Sequence, residues 1–109
     1  MIRIEVVVGQ GDIKAISDGL KQIHVGGITV MKVRGRGKST NPKIHAAKGT
    51  EMFTPEFNDK FVIQIIVEEK NENEVLHIIK NNAKIGKIFI SPIIRAIDIA
   101  SGEENEKAI

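Results

Sequence analysis

Two short segments of the chain combine glycine with a cation: Gly35-Arg36-Gly37-Lys38 and Gly86-Lys87. Glycine lets the backbone approach a ligand closely, because no Cβ stands in the way. Backbone amides beside cations suit an anion of phosphate size. The first segment is no P-loop, since it follows a strand and opens no helix. Its bland alternative is a flexible loop root. If the two turns meet in space, across a subunit boundary for instance, they form a single anion site. No catalytic constellation accompanies them. His24, His45 and His77 are scattered without metal-ligand spacing. His24 reads as a helix-end residue, His77 as an exposed helix residue and His45 as part of a loop. Acidic residues gather at helix starts and in the tail, where capping and solvation account for them. With no cysteine, disulfides and thiolate metal sites are excluded. No catalytic residue and no metal ligand is therefore assigned.

The elements that must hold these turns follow from periodicity. Residues 2–8 alternate as a strand, with Ile2, Ile4, Val6 and Val8 on one face. Gly9-Gln10-Gly11 breaks it, and Asp12 is positioned to cap a helix. Ile13, Ile16, Leu20 and Ile23 make one apolar stripe of that helix. It ends near His24, where Gly26-Gly27 would supply the stop. Residues 28–35 form a second strand, and residues 36–59 a long loop broken by Pro42 and Pro55. Compact domains rarely keep such a loop unless it binds something. Met52, Phe53 and Phe57 are its apolar residues; they either fold back onto the body or touch a partner. Residues 61–67 are a third strand, apolar on both faces except at Gln64, which predicts cover on both. With only two helices available, the second cover would be another subunit. Asn71 and Glu74 resemble a capping box for a helix over 71–82. A short connection at 83–87 leads to a fourth strand at 88–90, ended by Ser91-Pro92, and residues 93–99 predict a further strand. The charged tail, 101–109, is expected to be mobile.

This order defines an α+β fold: a ferredoxin-like βαββαβ split sandwich with an extra C-terminal strand and a long loop between strands two and three. The 109 residues are enough for a single domain, 1–109. Hydrophobic residues at 41% and charged residues at 28% are ordinary for a globular domain. A net charge of +2 is too small to imply nucleic-acid binding by itself. The charge is uneven, with Lys32, Arg34, Arg36, Lys38, Lys43 and Lys48 unaccompanied by any acid over 32–48. No apolar run reaches the length of a membrane span and no signal peptide is evident, so a cytoplasmic location is the default, without membrane insertion.

Four segments then resemble the PII family of nitrogen-regulatory signalling proteins, nearly end to end. They are the opening Ile-Arg-Ile-Glu strand, Gly26-Gly27-Ile28-Thr29-Val30 through Lys38, Gly86-Lys87-Ile88-Phe89-Ile90-Ser91-Pro92, and Ser101-Gly102-Glu103-Glu104. The second is similar to the family's G-M-T-V-x-x-V-x-G-x-G-[RK], the third to its G-K-I-F-V-S-P and the fourth to its T-G-E-x-G. The resemblance implies a homotrimer with ATP or ADP in intersubunit clefts and, in many members, Mg-ATP with 2-oxoglutarate. It implies that the loop over 36–59, the family's T-loop, docks on a transporter, enzyme or regulator. It also implies a set of nucleotide-binding residues. Gly27, Thr29, Gly35, Gly37 and Lys38 match the cleft side of strand two. Lys60 matches the lysine that reaches 2-oxoglutarate, and Gln64 stands where a glutamate is common. Gly86 and Lys87 match the end of the B-loop, here shortened to 83–87.

The pattern departs from the family at several points. The B-loop signature T-G-x-x-G-D-G-K is reduced to Ala-Lys-Ile-Gly-Lys. The glutamine that helps hold magnesium and 2-oxoglutarate is Ser39, and the two C-terminal phosphate-contacting arginines fall at Asp98 and Ala100. No tyrosine is present for uridylylation. Charge-assisted contacts carry phosphate recognition, so these changes weaken it and count against magnesium and 2-oxoglutarate. The expected function is a small-effector sensor controlling a target protein in nitrogen metabolism, and not an enzyme. The alternative is a divergent or metal-tolerance-type trimer that binds another anion, a metal or only a protein partner. An RNA-binding ferredoxin-like domain would need stacking aromatics on its central strands, and strand one has none.

Overall fold

Alternating side chains along β1 (Ile2–Val8) decide which face of the sheet is covered. Ile2, Ile4, Val6 and Val8 are buried, while Arg3, Glu5 and Val7 are only half-buried on the other face. The computed structural model describes residues 1–37, 44–45, 52–53 and 56–109. After β1 come α1 (Ile13–Gln22), β2 (Thr29–Gly35), β3 (Ile44–His45), β4 (Met52–Phe53), β5 (Asn58–Val67), α2 (Glu72–Asn82) and β6 (Lys87–Pro92). β3 and β4 pair with each other, Ile44 opposite Phe53.

The main sheet has the order β2-β5-β1-β6, with each neighbouring pair antiparallel. β1 and β2 are therefore parallel with β5 between them, and β5 and β6 are parallel with β1 between them. Each helix bridges one such pair, which interlocks two split βαβ units into the ferredoxin-like sandwich expected from the sequence. Ile63, Ile65 and Val67 of β5 join the β1 residues, and Ile16, Leu20, Val75 and Ile79 close the core from the helices. Among the described residues no polar or charged side chain is buried as a whole.

Local details differ from expectation. Asp12 and Asn71 do not cap their helices: both are αR and neither side chain makes a cap bond. Short 3-10 turns, Gln10–Asp12 and Glu69–Asn71, lead into each helix instead. α1 is stopped by His24, which adopts φ 65, rather than by Gly26-Gly27. The His24 N–H donates to Lys21 O at 3.1 Å and the Val25 N–H to Leu20 O at 3.0 Å. This is the Schellman arrangement, and Val25 packs against the core as the motif's apolar contact.

β5 starts at Asn58, earlier than the Phe61 expected, because β2 continues to pair through Gly35↔Asn58. It is not covered on both faces within the chain: Ile63, Ile65 and Val67 are buried, whereas Val62 and Ile66 are half-buried. β6 runs through Ser91-Pro92, which a sheet edge tolerates because proline's missing donor is not needed there. The extra C-terminal strand over 93–99 does not form. One isolated bridge, Ile97↔Glu104, is all that remains of it. Residues of the expected mobile tail fold back as a 3-10 turn, Asn105–Ala108, and the Asn105 N–H donates to Ala96 O at 2.8 Å.

The helices approach each other at Gly19, where an added Cβ would lie 2.6 Å from Ile78 Cγ2. That methyl sits on a β-branched carbon with little freedom to move. Alanine gains up to about 1 kcal/mol of helix propensity over glycine, but overpacking costs about 1–3 kcal/mol. Gly19→Ala is therefore expected to destabilise the fold, read as a lower urea midpoint with an unchanged m-value. A raised midpoint would show that the helices separate freely here.

Candidate functional site

The ladder registers divide the expected site residues into three groups. Thr29 lies opposite Gln64, and both line a cavity of about 520 Å³ with Gly27, His24, Asn71 and the chain's own Glu106 and Ile109. Gly35 sits at the far end of β2, about 20 Å along the strand at 3.3 Å per residue. Its partner is Asn58, and Lys60 is diagonal to it, opposite Val33. A Cβ on Gly35 would lie 3.3 Å from Lys60 Cδ, so the missing side chain leaves room for the lysine stem. Gly37 follows directly, and Lys38 lies outside the described residues.

Gly86 and Lys87 occupy the opposite edge of the sheet. They line a smaller cavity of about 170 Å³ with Val8, Ile79 and Ala83 among others. β5 and β1 stand between the two glycine turns, so β2 and β6 are three strand spacings, roughly 14 Å, apart. Within one chain the Gly35 and Gly86 turns do not converge. Gly86 has a clear structural role: with φ +149, its absent Cβ would fall 2.3 Å from Val7 O. The turn is thereby pressed against β1.

The sheet face opposite the helices runs between these groups. Thr29, Gln64, Glu5 and Phe89 form one register row across all four strands. Gln64 Nε2 donates to Glu5 Oε1 at 3.4 Å, a long contact. Met31 and Phe89 are 40% and 57% exposed on this face, and Arg3 Nε is buried there without an acceptor among the described residues.

Charge concentrates where β2 leaves the sheet. Lys32 Nζ is 3.4 Å from Asp59 Oδ2, Arg34 is opposite Asp59, and Arg36 Nη1 donates to Glu56 Oε1 at 2.5 Å. Phe57, one of the apolar loop residues left open by the sequence, stacks its ring 6.0 Å below the Arg36 guanidinium. Glu56, Asp59, Glu106 and Ile109 are site neighbours that sequence reasoning missed. The alternation of Lys32, Arg34 and Arg36 was a visible signal, but which acids would face them depends on the β2–β5 register. Among the described residues no group of three or more metal-ligating side chains occurs.

The C-terminal arm explains one departure from the expected pattern. Asp98 Oδ1 accepts from the Ser101 N–H at 2.8 Å and the Ser101 hydroxyl at 3.1 Å. These bonds hold the Asp98 carboxyl below the usual carboxylate range. The Asp98 N–H donates to Glu103 O, and Arg95 pairs with Glu104. The arm is thus an internally bonded turn, with Asp98 as its fastening and its one arginine already paired.

An α+β sandwich with one uncovered sheet face and a basic strand-to-loop root is the class that fold and site define. A family profile described as nitrogen regulatory protein P-II matches residues 1–103. A nitrogen regulatory protein P-II of Microchaete diplosiphon is 30% identical over the full length of both chains, and one of Porphyra purpurea is 32% identical over the same extent. A P-II homolog of Arabidopsis thaliana is 30% identical, covering 97% of this chain and 56% of its own. The chain belongs to the nitrogen regulatory protein P-II family, which gives it a regulatory signalling role. No helix of the described residues is long and apolar enough to cross a membrane.

Two outcomes are expected from the site geometry. Gly86→Ala meets both a positive φ and a backbone oxygen, so the strain alone costs about 1–3 kcal/mol. Thermal unfolding should fall by roughly 4–8 °C per kcal/mol, and an unchanged midpoint would refute the close approach. For Asp98 the folded carboxyl titrates below its unfolded value near 4. Its contribution to the arm is therefore present above about pH 4 and disappears as pH falls through the depressed folded value. The Ser101 amide resonance should follow that titration in NMR, and Asp98→Ala should remove it.

Proposed function

We propose that the chain senses a small anionic effector, an adenine nucleotide first of all, in clefts between copies of itself, and controls a target protein through the loop over 36–59. The observation that carries this is the placement of two glycine-cation turns on opposite edges of one sheet. A single chain presents each half without the other, and a second copy would supply the missing half. The open face with Met31 and Phe89 and the exposed Ile94, Ile97 and Ile99 of the arm favour self-association, with a homotrimer as the expected state. The loop would dock on a transporter, enzyme or regulator, and the role is regulatory rather than enzymatic. A cytoplasmic setting fits such a role.

A second reading is favoured by the arm and by the short 83–87 connection. Asp98 and Ala100 stand where phosphate contacts would be expected, and Arg95 is engaged by Glu104. A divergent member that has given up magnesium and 2-oxoglutarate, and takes another anion, a metal or only a protein partner, would look like this. Calorimetry with ATP, ADP, AMP, cyclic nucleotides and 2-oxoglutarate, paired with sedimentation, separates the readings. Under the first, an adenine nucleotide binds and Lys87→Gln weakens it roughly tenfold or more, as loss of a charge-assisted contact should. Micromolar ATP strengthened by 2-oxoglutarate would remove the second reading; no nucleotide binding by an oligomer would remove the first.

A further inference from the structure

Arg36 matches none of the binding residues that the family resemblance implies, yet it is the cation placed between the two glycines of the loop root. Its guanidinium is engaged on two sides, by the Glu56 carboxylate at 2.5 Å and by the Phe57 ring at 6.0 Å. Residues 36 and 56 are twenty positions apart in sequence and lie just outside the last ladder pair, Gly35↔Asn58. The contact therefore closes the neck of the loop without belonging to the sheet. It can break while every ladder bond stays intact. Inside it, Lys32 and Asp59 make a second pair that does belong to the ladder region.

From this geometry we infer that Arg36 is an anion-contacting residue held in reserve by Glu56, so that an anion at the Gly35–Gly37 turn competes with the Glu56 carboxylate and opens the neck. The inference rests on the anionic-effector reading above. A guanidinium binds carboxylate and phosphate through the same planar donors, so the two are direct competitors. Both side chains are well exposed, at 62% and 65%. Exposed pairs are weak, favouring the closed form by only roughly two- to fivefold. A phosphate carrying more charge and flanked by glycine amides outcompetes such a pair, whereas a buried one would resist it. Weakness is what suits the contact to reversal by a ligand. The cation–π contact to Phe57, the neighbour of Glu56, spans the same neck and is likewise a weak exposed contact, so it yields with the carboxylate.

The test uses the full chain with ATP as probe, in wild type, Glu56→Gln, Glu56→Asp and Arg36→Gln. Glu56→Gln keeps the shape and removes the competing charge. ATP affinity should rise roughly two- to fivefold in Glu56→Gln, stay near wild type in Glu56→Asp and fall in Arg36→Gln. The gain should shrink in high salt, as an electrostatic competition requires. Without ligand, amide exchange at residues 56–58 should be faster in Glu56→Gln than in wild type, and ATP should bring wild type to the same rate. ATP affinity unaltered by Glu56→Gln, with exchange at 56–58 unaltered by ATP, would overturn the inference and leave the effector reading standing. Absence of ATP binding in both wild type and Glu56→Gln would overturn both.

Discussion

Everything in the structure depends on the register between β1 and β5. The pairing places Ile4 opposite Ile65 and Val6 opposite Ile63, which gathers the apolar side chains of the two central strands on one face. A slip of one residue would send that whole set to the other side. Burial of these residues is worth roughly 1.5–3 kcal/mol for each large side chain, whereas the surface ion pairs are worth at most about 1 kcal/mol apiece. The helices dock because the strands present that face, and Gly19 allows them to dock side by side. The same register leaves Glu5, Gln64 and their row neighbours on the opposite face, where no element among the described residues covers them.

The central pairing also determines where the chemistry can lie. With β5 and β1 in the middle, β2 and β6 become edges, and the two glycine turns are carried to opposite sides of the sheet. The long loop leaves from β2 and returns to β5, so its roots are the last rungs of a ladder that is well anchored at the other end. Charges at those roots are consequently close to the sheet yet free of its hydrogen bonding. That combination is economical for signalling, because an ion pair can be exchanged there while the core is undisturbed.

The C-terminal arm shows how a departure from a family pattern can be a different local solution rather than a simple loss. At Asp98 the carboxylate fastens a tight turn through Ser101, and Arg95 and Glu104 pair across it. Ile94 and Ile99 remain almost fully exposed as a result, at 97% and 101%. The turn is fastened by polar contacts, the Asp98–Ser101 bonds and the Arg95–Glu104 pair.

Periodicity in the sequence was sufficient for β1, α1, β2, α2 and the order of the split sandwich, because those patterns arise from one buried face per element. It also located the glycine-cation turns and, through four motifs, the family. It failed at the ends of elements. Asp12 and Asn71 had the right chemistry for caps, but 3-10 turns ahead of both helices moved them into αR backbone. His24 took the left-handed position that the glycines two residues on were expected to fill, since the chain needed its turn there for Val25 to reach the core. The strand expected over 93–99 has the right alternation, but the segment turns back on itself through the Ile97↔Glu104 bridge and the Asp98–Ser101 bonds instead of pairing with an open edge of the sheet. The partnership of Arg36 with Glu56, the separation of Gly35 from Gly86 and the place of Glu106 and Ile109 beside Gly27 were matters for the tertiary structure alone. Each joins residues distant in sequence, and only the strand order and register bring them together or keep them apart.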